Sequence, residues 1–507
     1  MSVNAFNELF KILQDADLFG VAPAPLVDLD DEEDLRNAID LGASRIPGLY
    51  HDTYVAPLLR NLKWVMGRVS EPTLETLSAA VYDHHARYKN TRKGVEIKRS
   101  LRSFLAVTSN LYRSFLEPEP TAKFPVPKPG SIPPPLATFR PKLNLERKEF
   151  GPFSLPLDEV ERLCGARVAV ISLPSCYRNH VALCWAAIAH EAGGHGILHA
   201  YPGLLLELQR KVRRLFYQGQ DPRGQTPENA EQFLGLLWQY WTEEAASDVC
   251  AVLNLGPIYG KGLAVFLSAF GERLDRHFGA PEGKYPRLSH SWPPPNTQIT
   301  RVDSHPTDIL KLHVIIGAIE CLPLNDLTKQ SYIYEIKQMI DYSLEMERIN
   351  NPGNDNKMVS ISGWFSYKPG KILRSVHSLQ IERTVMEEHA RRVGRLVASE
   401  SMDSLNGNDL QDLETWDNAD EALAQSINRL LNFSSLKNPN QEFLGDDAQL
   451  LAGTVLALFE NPNPDFYYLI NEWLNNELQN SWTYDPIWGE PLWYPLAGPP
   501  RRPFEVA

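Results

Sequence analysis

The residues best suited to chemistry lie in one hexapeptide, His190-Glu191-Ala192-Gly193-Gly194-His195. A catalytic zinc ion needs three protein ligands and one open position for water, and histidine nitrogens and carboxylate oxygens are its ordinary donors. Two histidines on one helix face would supply two ligands, with the glutamate beside them serving the water as general base. In the usual arrangement the histidines are four residues apart; here they are five apart. On an ideal α-helix five residues turn the second side chain about 140° from the first, and such a pair cannot chelate one ion. One extra residue can be absorbed as a widened, π-type turn, and Gly193-Gly194 lowers the steric cost of that distortion. A glycine inside a helix otherwise costs about 1 kcal/mol, so two of them between two histidines imply a purpose.

A third ligand is expected from a second helix. Thr242-Glu243-Glu244-Ala245-Ala246-Ser247-Asp248 begins shortly after an apolar run. Glu244 and Asp248 are four apart and share a helix face, which Leu237, Trp241 and Val252 extend as an apolar stripe. Carboxylates in such a stripe need partners, because a buried unpaired charge is expensive. A metal ion for Glu244 and a histidine ring N–H for Asp248 would satisfy both, the second being a recurrent way to orient a ligand histidine. The expected set is therefore His190, His195 and Glu244 as metal ligands, Glu191 as base and Asp248 behind a ligand.

The two motifs together resemble the gluzincin superfamily of zinc metallopeptidases. Glu244-Ala245-Ala246-Ser247-Asp248 is similar to the Glu-x-x-Ser-Asp segment of thermolysin-like enzymes, and the five-residue histidine spacing resembles dipeptidyl peptidase III. Downstream, Asp303-Ser304-His305-Pro306 resembles the Ser-His-Pro element of CAAX-prenyl endopeptidases. That likeness implies that His305 faces the substrate carbonyl, as a second catalytic residue beside Glu191. The resemblance falls within about residues 190–313. It implies a zincin-like core, bound Zn2+ and hydrolysis of a peptide or protein substrate.

Other candidates compete. His199, four residues after His195, has good pairing geometry but would leave Glu191 outside the pair; a packed or hydrogen-bonded helix-end histidine is expected there. His290 sits in a long loop that could line a cleft, and Tyr240 and Tyr259 could donate to an oxyanion. His84-His85 beside Asp83 has no ligand geometry and is expected at the surface. Two other functions fit the same residues: a zinc hydrolase of a non-peptide electrophile such as an epoxide, and a non-enzymatic interaction protein that zinc holds together. The intact Glu191, which structural zinc does not need, separates the last from the others.

The elements that must position these residues are mainly helical, an α or α+β fold. Residues 1–116 read as a helical N-terminal region, with an acidic patch at Asp28–Asp34 and a basic, solvated helix face from Arg87 to Arg102. Residues 117–156 are proline-rich and read as a linker or strap. Residues 157–345 read as the catalytic domain: a helix from near Asn179 to Pro202, another over 203–218, a third from Thr226-Pro227-Glu228 to Leu255, and one over 306–322. Residues 346–507 read as mostly helical, opening on a strand or hairpin at MVSISGWFSY, then a helix over 371–398 and a loose acidic stretch around 400–420.

The 507 residues are 43% apolar, ample for a large core. The net charge of −13, from 63 acids and 50 bases, argues against nucleic acid as a partner. No secretory leader and no run of about 18 apolar residues is evident, so no membrane span and a cytoplasmic location are expected. Five widely spaced cysteines without a CxxC pair are expected to be free thiols in a reducing compartment.

Overall fold

A computed structural model of the chain describes residues 2–15, 27–84, 92–116, 133–140, 152–217, 230–277, 285–291, 302–350, 357–363, 376–433 and 446–488. The architecture is mainly helical, with five short strands among the described residues. Buried residues from the N-terminal helices through Trp488 belong to one contiguous apolar cluster. None of the described helices is long and apolar enough to cross a membrane. All five cysteines are free, and Cys164, Cys184 and Cys250 are buried.

The N-terminal acidic patch is a helix start. Asp31 caps helix Glu32–Ala43 by accepting from the N–H groups of Glu33 and Asp34, and the following acids occupy the positive end of the helix. Of the basic stretch from Arg87 to Arg102, the side chains before Lys98 lie outside the described residues. Of the rest, Lys98 is exposed as a solvated face requires, but the next two basic residues are engaged. Arg99 donates to Asn476 at 3.0 Å and Arg102 lies over the Trp482 ring at 4.4 Å, both on helix Pro464–Tyr484.

Most of the proline-rich segment also lies outside the described residues, but its two described ends are strands. β1 (Leu136–Arg140) and β2 (Phe153–Leu155) flank β3 (Val170–Pro174) in a three-stranded sheet of order β1-β3-β2. β1 runs parallel to β3, with Leu136 opposite Val170, and β2 runs antiparallel, with Phe153 opposite Ser172. Every residue of β3 is buried, Ser172 included, as a strand paired on both edges and rich in apolar residues is expected to be.

β3 delivers the chain to the first motif. A 3-10 turn occupies Ser175–Asn179, and His180 is non-helical. The helix expected from Asn179 therefore begins at Val181 and runs, in consecutive turns of differing pitch, to Ala200. Helix Leu204–Phe216 comes next. The expected start at Thr226-Pro227-Glu228 lies outside the described residues. Beyond it the chain forms two helices, Ala230–Tyr240 and Thr242–Leu255, broken at Trp241. The second stops at Gly256, whose φ of 69° lies in the left-handed region that favours glycine.

Helix Asp308–Cys321 begins two residues later than Pro306 suggested, with Thr307 as its cap position. Further on, β4 (Met358–Gly363) pairs antiparallel with β5 (Val376–Glu382). The helix expected from 371 accordingly starts only at Arg383, because the residues before it spend their backbone groups on β4. Residues 400–417 are a packed loop rather than a loose acidic stretch. Leu405, Leu410, Leu413 and Trp416 are buried, and Asp409 and Asp412 accept each other's backbone N–H. Its acids are backbone acceptors, a role that charge counting does not show.

Helices Asp308–Cys321 and Arg383–Ser399 meet at glycines. A Cβ on Gly317 would collide with the Arg391 carbonyl, and one on Gly394 with the Val314 carbonyl. Gly394→Ala should therefore lower the unfolding free energy by about 1–3 kcal/mol, the usual cost of overpacking. It should appear as a lower urea midpoint at unchanged slope. An unchanged midpoint would show that the two helices separate without cost.

Candidate metal centre

The first motif occupies a π-helical segment, Ala189–Gly196, inside the 181–200 helix. The widened pitch cancels the rotation that five residues would impose on a regular helix. His190 and His195 consequently share a face, with ring centroids 5.0 Å apart and planes inclined at 75°. The glycines between them lie in the widened turn and also have a packing role. Neither has a positive φ. Instead, a Cβ on Gly194 would lie 2.5 Å from Ser247 Cα and Cβ, and one on Gly193 would collide with the Asn254 amide. Both contacts are on helix Thr242–Leu255, so the glycines let the two motif helices approach.

That approach brings Glu244 between the rings. Its Oε2 lies 3.1 Å from His190 Nε2 and its Oε1 3.7 Å from His195 Nε2. One ligand atom from each of the three residues lies within 4.8 Å of the others, and all three side chains are nearly buried. Donors bound tetrahedrally to one ion at about 2.0–2.1 Å sit about 3.4 Å apart, so these separations suit a common ion. The buried His190, His195 and Glu244 group can hold a metal ion.

A carboxylate stands behind each ring. His190 Nδ1 is 2.8 Å from Asp248 Oδ1, and His195 Nδ1 is 3.1 Å from Glu243 Oε1. With Nδ1–H donating backwards, each ring can present its Nε2 lone pair to the point that Glu244 faces. Asp248 is fully buried. Its Oδ1 also accepts the Tyr259 hydroxyl at 2.9 Å, and its Oδ2 pairs with Lys311 Nζ at 3.4 Å. Glu243 is shared with His199, whose Nε2 is 2.9 Å away and whose Nδ1 is 3.1 Å from Asp158. His199 is thus a hydrogen-bonded helix-end histidine and not part of the ligand group.

The electrostatics arise from this packing. Burial would push the Glu244 carboxyl up, but His305 and His195 beside it hold it well below the ordinary carboxylate range. Burial likewise opposes ionisation of Glu243, yet the bonds from His195 and His199 bring it down to about 2. Desolvation opposes a charge on His195, but Glu244 and Glu243 pull it well above its usual value. The carboxylates therefore draw positive charge to the point where the rings converge.

Glu191 is 6% exposed, and its Oε2 has no hydrogen-bond partner among the described residues. A buried carboxylate oxygen left open is costly and suits a group that must receive a proton. His305 stands across the site. Its Nε2 is 3.1 Å from Glu244 Oε2, its Nδ1 is 2.7 Å from Asp303 Oδ1, and its side chain is about half exposed. Two residues at the helix break hold this loop: Trp241 Nε1–H donates to the Asp303 carbonyl at 2.9 Å, and the Tyr240 hydroxyl donates to that of Val302 at 3.1 Å.

The remaining candidates are placed elsewhere. Tyr240 and Tyr259 donate to Val302 and Asp248, so neither is an oxyanion donor. His290 is buried against Glu347 at 3.4 Å; of its loop only residues 285–291 are described. His84 is not at the surface but stacks on Trp488, with centroids 5.5 Å apart; His85 lies outside the described residues. Sequence reasoning missed Glu243, Asp303 and Lys311 as partners of the site. The available signals were the doubled Glu243-Glu244, an aspartate two residues before His305, and a lone lysine in the apolar run Ile309–Ile316.

No family model, no curated protein and no solved structure matches this chain.

The purified protein should carry about one equivalent of tightly bound metal, as expected of three protein ligands converging on one point. Metal analysis of His190→Ala, His195→Ala and Glu244→Ala should each show loss of most of it, and His199→Ala should keep it. Full occupancy in Glu244→Ala together with loss in His199→Ala would reverse the ligand assignment.

Proposed function

We propose that this chain is a zinc-dependent hydrolase of gluzincin type whose substrates are peptides. The observation that carries this proposal is Glu191: a buried carboxylate with an open oxygen, adjacent in sequence to the ligand His190. A metal that only held helices together would need no such group.

His190, His195 and Glu244 would hold the ion, and a mixed nitrogen and oxygen donor set of this kind suits zinc. Zinc, when bound, supplies a Lewis acid that activates water near neutral pH and polarises a carbonyl. Glu191 receives the proton of the attacking water at its open oxygen and passes it to the leaving amine. His305 donates from Nε2 to the carbonyl oxygen as negative charge develops there, and Asp303 on Nδ1 keeps the ring in the donating orientation. Asp248 and Glu243 keep the ligand rings turned inwards. The Ser-His-Pro likeness and the position of His305 over Glu244 both support its part.

A peptide library should reveal cleavage by the zinc-loaded protein. Glu191→Gln should fold and keep its zinc but lose nearly all hydrolysis, because the swap preserves shape and removes basicity. Near-normal turnover in this variant would remove the proposed base. Turnover of epoxides or other electrophiles without peptide cleavage would replace the substrate class.

His305→Ala should lower kcat by about 10²–10³-fold, the range for loss of an oxyanion donor, with a smaller change in KM and unchanged zinc content. Loss of zinc instead would make His305 part of the metal's support.

A further inference from the structure

Helix Asp308–Cys321 is almost entirely buried and reads Asp-Ile-Leu-Lys-Leu-His-Val-Ile-Ile. Apolar side chains fill the space between helices at Ile309, Leu310, Leu312 and Val314. Lys311 interrupts them with a cationic side chain, the residue being only 6% exposed. Burying a cation is expensive unless a specific partner repays it, and an apolar residue would pack this position at no such cost. The partner is Asp248, whose Oδ2 lies 3.4 Å from Lys311 Nζ.

The division of labour on that carboxylate is informative. Oδ1 receives both the His190 ring at 2.8 Å and the Tyr259 hydroxyl at 2.9 Å. Oδ2 is left to Lys311 alone among the described residues. The cation therefore compensates the carboxylate without competing for the oxygen that holds the histidine. It also answers a problem created by helix Thr242–Leu255. Glu244 and Asp248 are like charges one turn apart, both buried, and such pairs repel. Lys311 is the buried cation that the third helix adds to offset them.

We infer that Lys311 is a positioning residue of the metal centre, acting through Asp248 to fix the His190 ring and so to set the affinity for the ion. The inference rests on the metal-binding part of the proposed function and not on the reaction. Among the described residues Lys311 pairs with Asp248 and makes no ion pair with His190, His195 or Glu244. Its contribution reaches the ion through the chain Lys311–Asp248–His190.

The test is zinc affinity, measured at pH 7 by competition with a chromophoric chelator on the full chain stripped of metal. Lys311→Met keeps length and volume but removes the charge, and should weaken zinc binding by about 10–100-fold, the range for loss of a ligand's outer support. Lys311→Arg should restore affinity to within a few-fold of the parent chain. The decisive measurement is the cycle with Asp248→Asn. If Lys311 works through Asp248, Asp248→Asn/Lys311→Met should bind zinc no more weakly than Asp248→Asn alone. The double variant also removes the unpaired buried charge, so it remains testable if Lys311→Met does not fold. Parent-like affinity in Lys311→Met, or a further tenfold loss on adding it to Asp248→Asn, would overturn the assignment. A parent chain that binds no zinc would overturn the metal centre and this inference with it, whereas zinc binding without hydrolysis would leave both standing and remove only the reaction.

Discussion

Two imidazoles five residues apart can face one point only where the helix is widened, and the rest of the site depends on that widening. Once Ala189–Gly196 takes π pitch, His190 and His195 turn to the same side. The turn has to be supported from outside, because a π segment is poorer in packing than an α-helix. Support comes from helix Thr242–Leu255, which lies so close that a Cβ on Gly194 would meet the Ser247 backbone and one on Gly193 the Asn254 amide. The same close approach delivers Glu244 to the rings. Pitch, glycines and third ligand are one solution to one geometric constraint.

Around this point the molecule places charges that ordinary cores exclude. Glu244 and Asp248 are buried, with Lys311 beside them, and Glu243 is partly exposed behind His195. Each is repaid locally: Asp248 by His190, Tyr259 and Lys311, Glu243 by His195 and His199. Glu191 Oε2, by contrast, has neither a hydrogen bond nor an ion pair among the described residues.

Much of the site was legible because its signals are local. Spacing brought Glu244 and Asp248 to one face, and the mismatch between five residues and 3.6 per turn required a distorted helix. The long-range partners were not legible. Nothing in the sequence says that Lys311, 63 residues after Asp248, would reach it, or that Glu243 rather than a second aspartate would sit behind His195. The fold shows the same division. Helices with strong apolar periodicity lie where expected, within a few residues. The β5 strand reads as helix because its pairing partner, β4, lies upstream across residues that separate the two texts. The acids of 400–417 read as solvated because composition records charge and not the backbone N–H groups that the charge accepts.

The break at Trp241 has a mechanical consequence. Trp241 is tied through its indole to the Asp303 carbonyl, Asp303 to the His305 ring, and His305 to Glu244; one helical turn closes the circuit from Glu244 back to Trp241. The four members close one ring, so a displacement of any one is shared with its neighbours. The Trp241–Glu244 side draws rigidity from the core, since Trp241 is fully buried and its neighbours on the helix are packed. The Asp303–His305 side lies partly in solvent. Anything that wedges between His305 and Glu244 must therefore strain the frame at that exposed side first, while the helix that carries Glu244 stays in register.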